Sequence, residues 1–290
     1  MSDSSFNPEL SETLIPELSE RLGGIQDGEW ERTGQPAAAP PEPIISFSHV
    51  GISFDGRSVL EDVSFSVDRG QTLCILGRSG VGKSVALRML MGFLKPDEGS
   101  ICGEGQEITT LSEGGLRAIR KRVTMVFQNG ALFDSLSVRE NVAFPLRERG
   151  GLTEDQIQEK VGQLINVVGA EDVVDALPAS LSTGRKRAVA IARALAAEPD
   201  VVLYDEPTTM VDPIIARRLG DLIEILQHHL GKTSIVVTHD VRFAERLADM
   251  VLFLDQGRAQ FFRSLKDFLA SPDPHIQKFL MLDAFLLPSE

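Results

Sequence analysis

Five short apolar runs stand out along the chain: Thr72–Leu76, Val123–Phe127, Val201–Tyr204, Ser234–Val237 and Met250–Leu254. Runs this short and this apolar read as strands covered on both faces, as in a parallel sheet. Ile44–Phe47, Ser53-Phe54 and Val63–Val67 are also strand-like, set apart by turn-forming residues. Helical patterns fall between the buried runs. One covers Val85–Phe93 and is halted by Pro96-Asp97-Glu98-Gly99, and others cover 213–230 and 240–248. Residues 135–198 read as mainly helical, with no clear strand. Buried strands alternating with helices predict an α/β fold with a mostly parallel sheet, into which the helical block is inserted.

The two ends differ from this pattern. Residues 1–43 hold nine acids and two bases and finish in Pro-Ala-Ala-Ala-Pro-Pro-Glu-Pro, a composition that predicts a solvated tail. Leu10, Leu14, Leu18 and Leu22 recur at steps of four, the spacing of one face of a docking helix, but composition is the stronger guide. The last stretch, from Asp267 on, carries Ile276, Phe279, Leu280, Leu282, Phe285, Leu286 and Leu287. Such an end either closes its own domain or reaches a neighbouring subunit, and a contact between subunits is the reading preferred, since so apolar an end is costly to leave in water. The expected division is thus a tail to 43, a main domain over 44–270 and an apolar extension over 271–290.

Composition narrows the class. At 290 residues, 42% apolar and 24% charged, the chain can bury a sizeable core. No apolar run approaches the roughly 20 residues of a membrane span. The opening Met1-Ser-Asp-Ser-Ser lacks the basic start and apolar core of a signal peptide, so a cytosolic protein is expected. Two cysteines, Cys74 and Cys102, make no disulfide scaffold. A net charge of −13 disfavours a nucleic-acid-coating role.

Two constellations carry chemistry. Gly77-Arg78-Ser79-Gly80-Val81-Gly82-Lys83-Ser84 has Gly, four residues, Gly, Lys and Ser, between a predicted strand and a predicted helix. Glycines let the backbone aim N–H groups at phosphate oxygens, Lys83 suits the β- and γ-phosphates, and the Ser84 hydroxyl suits Mg²⁺. A glycine-rich turn with an incidental lysine is the bland alternative, but every fixed position is filled. The second is Asp205-Glu206, directly after an apolar strand. Asp205 suits the Mg²⁺ shell and Glu206 a water aimed at the γ-phosphate. Two such acids alone would more often cap a helix; beside the phosphate loop, the catalytic reading is stronger.

With further stations in order, these residues resemble the ATP-binding subunit of ABC transporters. Gln128 follows a strand where that family keeps a glutamine. Leu181-Ser182-Thr183-Gly184 occupies the place of its Leu-Ser-Gly-Gly signature. Val211-Asp212-Pro213 and Thr238-His239-Asp240 match two further loops, and Phe54 sits where an aromatic stacks on adenine. The stretch 127–146 and Tyr204-Asp205-Glu206-Pro207-Thr208-Thr209 look most like the Mce/Mla-type lipid transporters.

The resemblance implies a RecA-like P-loop NTPase core: a mostly parallel sheet with an antiparallel β edge and an inserted helical subdomain near 135–198. It implies catalytic roles for Glu206, His239 and Gln128. Nucleotide contacts would come from Phe54, Gly77, Arg78, Ser79, Gly80, Val81, Gly82, Lys83, Ser84, Val85, Ser182, Gly184 and Asp212. Mg²⁺ would be held by Ser84, Gln128 and Asp205. ATP would lie between two copies, clamped by the loop of one and the signature of the other. The partners implied are a second copy of the chain, an integral-membrane permease and a periplasmic MCE lipid-binding protein. The place implied is the cytoplasmic face of the inner membrane, and the cargo phospholipid or related hydrophobic molecules, with another substrate such as amino acids as the alternative.

Three departures from the family pattern stand out: Thr183 for a glycine, the basic triplet Arg185-Lys186-Arg187 ahead of Ala188, where an arginine is usual, and Met210 for a small residue.

Overall fold

The computed structural model describes residues 43–286. The tail and its leucine repeat lie outside that range. Two sheets form the framework. The larger holds six strands in the order β10-β9-β3-β8-β7-β6: β3 (Thr72–Leu76), β6 (Val123–Val126), β7 (Val201–Asp205), β8 (Thr233–Thr238), β9 (Met250–Asp255) and β10 (Arg258–Phe262). All its pairings are parallel except that of β10 with β9. Every residue of β3, β7 and β8 is buried, so both faces of the sheet are covered.

The antiparallel part includes a second sheet. A separate four-stranded sheet, β2-β1-β4-β5, is built from β1 (Ile45–Phe54), β2 (Arg57–Val67), β4 (Glu98–Gly103) and β5 (Gln106–Glu107). The two short runs expected at 44–47 and 53–54 are one strand. Shifts of register after Phe47, Val50 and Ile52, with His49 in the left-handed region, break its alternation. Residues Leu73, Ile75, Leu203, Ile235 and Leu252 of the large sheet pack on this face with Phe47, Leu60, Ile101, and Leu87 and Leu90 of α1 (Lys83–Leu90). Helix α2 (Glu113–Arg122) lies on the same side through Leu116 and Ile119.

The opposite face carries Cys74, Leu76, Val202, Tyr204, Val236 and Val251. Helices α3 (Val138–Arg149), α4 (Glu154–Val167) and α5 (Thr183–Ala196) enter the chain between β6 and β7 and share the core of that face. Helices α6 (Pro213–Leu230) and α7 (Val241–Leu247) complete it. Helices α3 and α4 both start with a capping box, Ser137 with Glu140 and Thr153 with Gln156, which fixes where each begins.

After the short α8 (Leu265–Leu269), α9 (Pro274–Leu286) folds back onto its own domain. Ile276 and Phe279 are buried, with the Phe279 ring 5.3 Å from that of Phe253, whereas Met281 and Leu282 are exposed. Leu287 lies outside the described residues, as do the side chains of Phe285 and Leu286. Among the described residues, no helix is long and apolar enough to cross a membrane.

Candidate functional site

The phosphate-type loop joins β3 to α1 and is pressed against its own chain. Gly77 has φ 152, and a Cβ there would lie 2.2 Å from the Leu254 carbonyl oxygen. Gly82, in the left-handed region at φ 103, is the N-cap of α1, and a Cβ on it would lie 2.9 Å from Leu60 Cδ2. Only glycine fits either place. No side chain caps α1 and its own first turn holds no acid, which leaves its N–H groups available to an anion. Arg78, Ser79 and Gly80 are exposed, and Val81 and Val85 half-buried.

Lys83 is buried, and its Nζ donates to the carbonyls of Gly77 at 2.7 Å and Arg78 at 3.1 Å. The same ammonium lies 3.2 Å from Glu206 Oε1. Ser84 donates its hydroxyl to Asp205 Oδ1 at 2.6 Å. Asp205 ends β7 and is almost fully buried, and burial pushes its carboxyl above the usual range, with the Ser84 hydrogen bond pulling the other way.

Glu206 is the meeting point. Its backbone is left-handed at φ 48, an arrangement that costs a non-glycine residue about 1–3 kcal/mol and that gathers at functional sites. The main chain is pinned there by its N–H to the Val237 carbonyl, 2.9 Å. Glu206 Oε2 accepts from His239 Nδ1 at 2.8 Å and from Thr209 Oγ1 at 3.1 Å. Burial alone would raise its pKa, but the His239 hydrogen bond and the Lys83 charge together outweigh it and hold the carboxyl below its ordinary range. His239 moves the opposite way, raised first by its hydrogen bond to Glu206. The result is an ionised carboxylate, held by three donors, beside a lysine suited to phosphate.

The other expected residues are placed less directly. Phe54 is exposed at the tip of the β1–β2 hairpin, whose turn residues Asp55 and Gly56 are both left-handed. Gln128 is exposed in the loop after β6, and its backbone carbonyl accepts from Arg187 Nε at 3.2 Å. Asp212 is exposed just ahead of α6. Ser182 is the N-cap of α5, its hydroxyl accepting from the Arg185 N–H at 3.4 Å. Ser182 and Thr183 are exposed and Gly184 is buried. Among the described residues no hydrogen bond or ion pair joins Ser182 or Gly184 to the phosphate-type loop.

Arg187 was not among the expected site residues, yet it is buried against this site. The signal was present: Gly184, Arg187, Ile191 and Leu195 share one buried face of α5 at helical spacing. Thr209, which hydrogen-bonds Glu206, carried no signal of its own.

Known proteins resemble this chain in sequence and in fold. The ABC transporter family model matches residues 60–209. The ATP-binding protein MlaF of an intermembrane phospholipid transport system in Escherichia coli K12 is 36% identical over 237 residues, which are 82% of this chain and 88% of that one. The methionine import ATP-binding protein MetN of Brucella abortus is 42% identical over 219 residues, 76% of this chain, and this chain spans only 59% of that relative's length. Among solved structures, CbiO1 from Clostridium perfringens, part of the ABC transporter complex CbiONQ, superposes with a TM-score of 0.73 at 31% identity, covering 84% of this chain and 95% of that one. The dimeric post-hydrolysis structure of the ATP-binding cassette MJ0796 with ADP and Pi gives a TM-score of 0.71 at 28% identity, covering 76% and 98%. Its sequence and its fold agree: the chain belongs to the ABC transporter family and has that family's P-loop NTPase fold.

Proposed function

We propose that this cassette hydrolyses ATP as one half of a homodimer and so drives a separate integral-membrane permease that moves phospholipid, or a related hydrophobic molecule, between membranes. The observation that carries the hydrolytic reading is the Glu206 cluster, an ionised carboxylate 3.2 Å from Lys83 and 2.8 Å from His239. The loop over Gly77–Ser84 would bind the triphosphate, with Val85 in the first turn behind it and Phe54 against the adenine. Water placed by Glu206 would attack the γ-phosphate in line, with His239 contacting that phosphate. Ser182 and Gly184 of the second copy would close the site from the other side, next to Asp212.

The donors at Ser84 and Asp205 fit Mg²⁺. They offer a hydroxyl and a buried carboxylate whose raised pKa a cation would relieve, and Mg²⁺ asks for only one or two protein oxygens beside phosphate and water. Ser84 and Asp205 would hold the ion, joined by Gln128. Bound there, Mg²⁺ supplies charge neutralisation at the β- and γ-phosphate oxygens.

The lipid reading draws support from the likeness to MlaF, which extends over 88% of that protein. An exposed aromatic pair, Phe133 and Phe144 with ring centroids 4.8 Å apart, sits close after Gln128 and offers the permease an apolar foothold. The 42% identity with a methionine-import cassette favours an amino-acid cargo as the second reading. The subunit would then work at the cytoplasmic face of the inner membrane, with a periplasmic MCE protein as a more distant partner under the lipid reading.

Purification from membranes with its permease tests this. Phospholipid retained in the complex, and ATPase activity raised by phospholipid but not methionine, is the expected result; the reverse response selects the amino-acid reading. In the same complex Glu206→Gln should lower turnover at least about a hundredfold while ATP still binds, the size of effect usual for a lost general base. Normal turnover would remove Glu206 from that role.

A further inference from the structure

Helix α5 turns one cationic side chain inward. Arg187 is 3% exposed, and among the described residues no carboxylate forms an ion pair with it. A guanidinium in such a place needs its donors satisfied, and here carbonyls do so. Nε donates to the Gln128 carbonyl at 3.2 Å, and the two terminal nitrogens donate to the carbonyls of Pro207 and Thr209. These three acceptors belong to two loops, one following β6 and the other following β7. Thr209 in turn donates its hydroxyl to Glu206 at 3.1 Å. One rigid fork therefore ties α5 to the loop of Gln128 and to the loop of Glu206.

We propose that Arg187 is a positioning residue for hydrolysis: it locks the loops bearing Gln128 and Glu206 to helix α5, so that displacement of α5 moves both together. The inference rests on the reading of Glu206 given above. Its chemistry is that of a planar, multiply donating group, because a lysine keeps the charge but loses the fixed fork.

The test uses the full chain in three variants: Arg187→Lys, Arg187→Ala and, as reference, Glu206→Gln. Turnover, KM for ATP, nucleotide affinity by fluorescent ATP analogue, and amide hydrogen exchange over 128–131 and 207–211 are measured on each. For Arg187→Lys the expected result is a kcat loss of about ten- to a hundredfold, KM and affinity within about threefold, and faster exchange in both loops at once, as for a misplaced rather than missing group. Arg187→Ala should lose more, and should it fail to fold, the lysine variant decides. Unchanged kcat in Arg187→Lys, or a loss in which only one loop loosens, overturns the proposal. A normally active Glu206→Gln overturns the reading of Glu206 instead, and the coupled loosening of the two loops still judges the lock by itself.

Discussion

Two helices of this cassette begin at places suited to phosphate, and they are finished in opposite ways. The start of α1 has no side-chain cap; glycines 77 and 82 bring it against the chain's own backbone, and Lys83, Ser84, Asp205 and Glu206 converge around it. The start of α5 is already capped by Ser182, stands exposed, and has Arg185 and Lys186 in its opening turn, where cations oppose the helix dipole. The first gathers within one chain the groups that would hold an anion. The second would hold an anion only if one were brought to it from elsewhere, which is the physical reason behind the proposal of ATP at a seam between two copies.

Changes at the two ends should therefore separate by what they break. Lys83→Ala removes a charge-assisted contact of the self-contained site, and the affinity of the isolated chain for ATP should fall by roughly ten- to a hundredfold, from about 1.5–3 kcal/mol per such bond. Unaltered affinity in a titration would show that other groups hold the phosphates. Ser182→Asp is the counterpart. Aspartate caps helices as well as serine, so thermal stability should hold, and ATP binding by the single chain should not change. A second negative charge opposite a γ-phosphate should still lower ATPase activity by several-fold to tenfold, on the order of 1 kcal/mol. If single-chain binding falls instead, the contrast between the two helix starts is wrong.

Thr183→Gly should have a smaller effect. It removes a β-branched side chain from an exposed first turn, and the ATPase rate should stay level or rise; a large loss would mean this segment does not face nucleotide. The smallest effect concerns pH. The His239 pKa is raised above its ordinary 6.5 by Glu206, so its contribution to stability is complete below 6.5 and fades as pH rises through the raised value. The Glu206 pKa is lowered from 4.5, so its contribution is complete above 4.5 and fades as pH falls through the lowered value. The pair is strongest between 4.5 and 6.5. Melting temperatures of wild type and His239→Ala should differ most near that window and converge toward pH 9; a gap that widens with pH contradicts the assignment.

Much of this was legible in the chain itself. The phosphate loop and the Asp205-Glu206 pair are local patterns, and strands such as β3 and β7 announce themselves because every residue is buried. What stayed hidden depends on tertiary partners. The start of β4, Glu98-Gly99, reads as the end of a helix stop; in the fold the strand (Glu98–Gly103) lies along β1, and a Cβ on Gly99 would meet the His49 carbonyl at 2.3 Å. The stretch of α2 shows only Leu116 and Ile119 as buried anchors among charges, too few to declare a helix. Arg187 read as part of a basic triplet shifted by one place, although its spacing with Gly184, Ile191 and Leu195 put it on the buried face of α5; what the sequence could not bring together were its three carbonyl acceptors in two distant loops. For the C-terminal end, Ile276 and Phe279 turn toward the chain's own Phe253, which spacing alone left open.

The unusual backbone at Glu206 has a consequence for anyone engineering this protein. Because φ 48 suits glycine better than glutamate, replacing the residue with glycine relieves backbone tension, but it also strips the buried Lys83 ammonium of its carboxylate and erases the chemistry. Heat tolerance at this position is thus set by two opposed effects, and only a screen that counts phosphate released would report on the glutamate's chemistry.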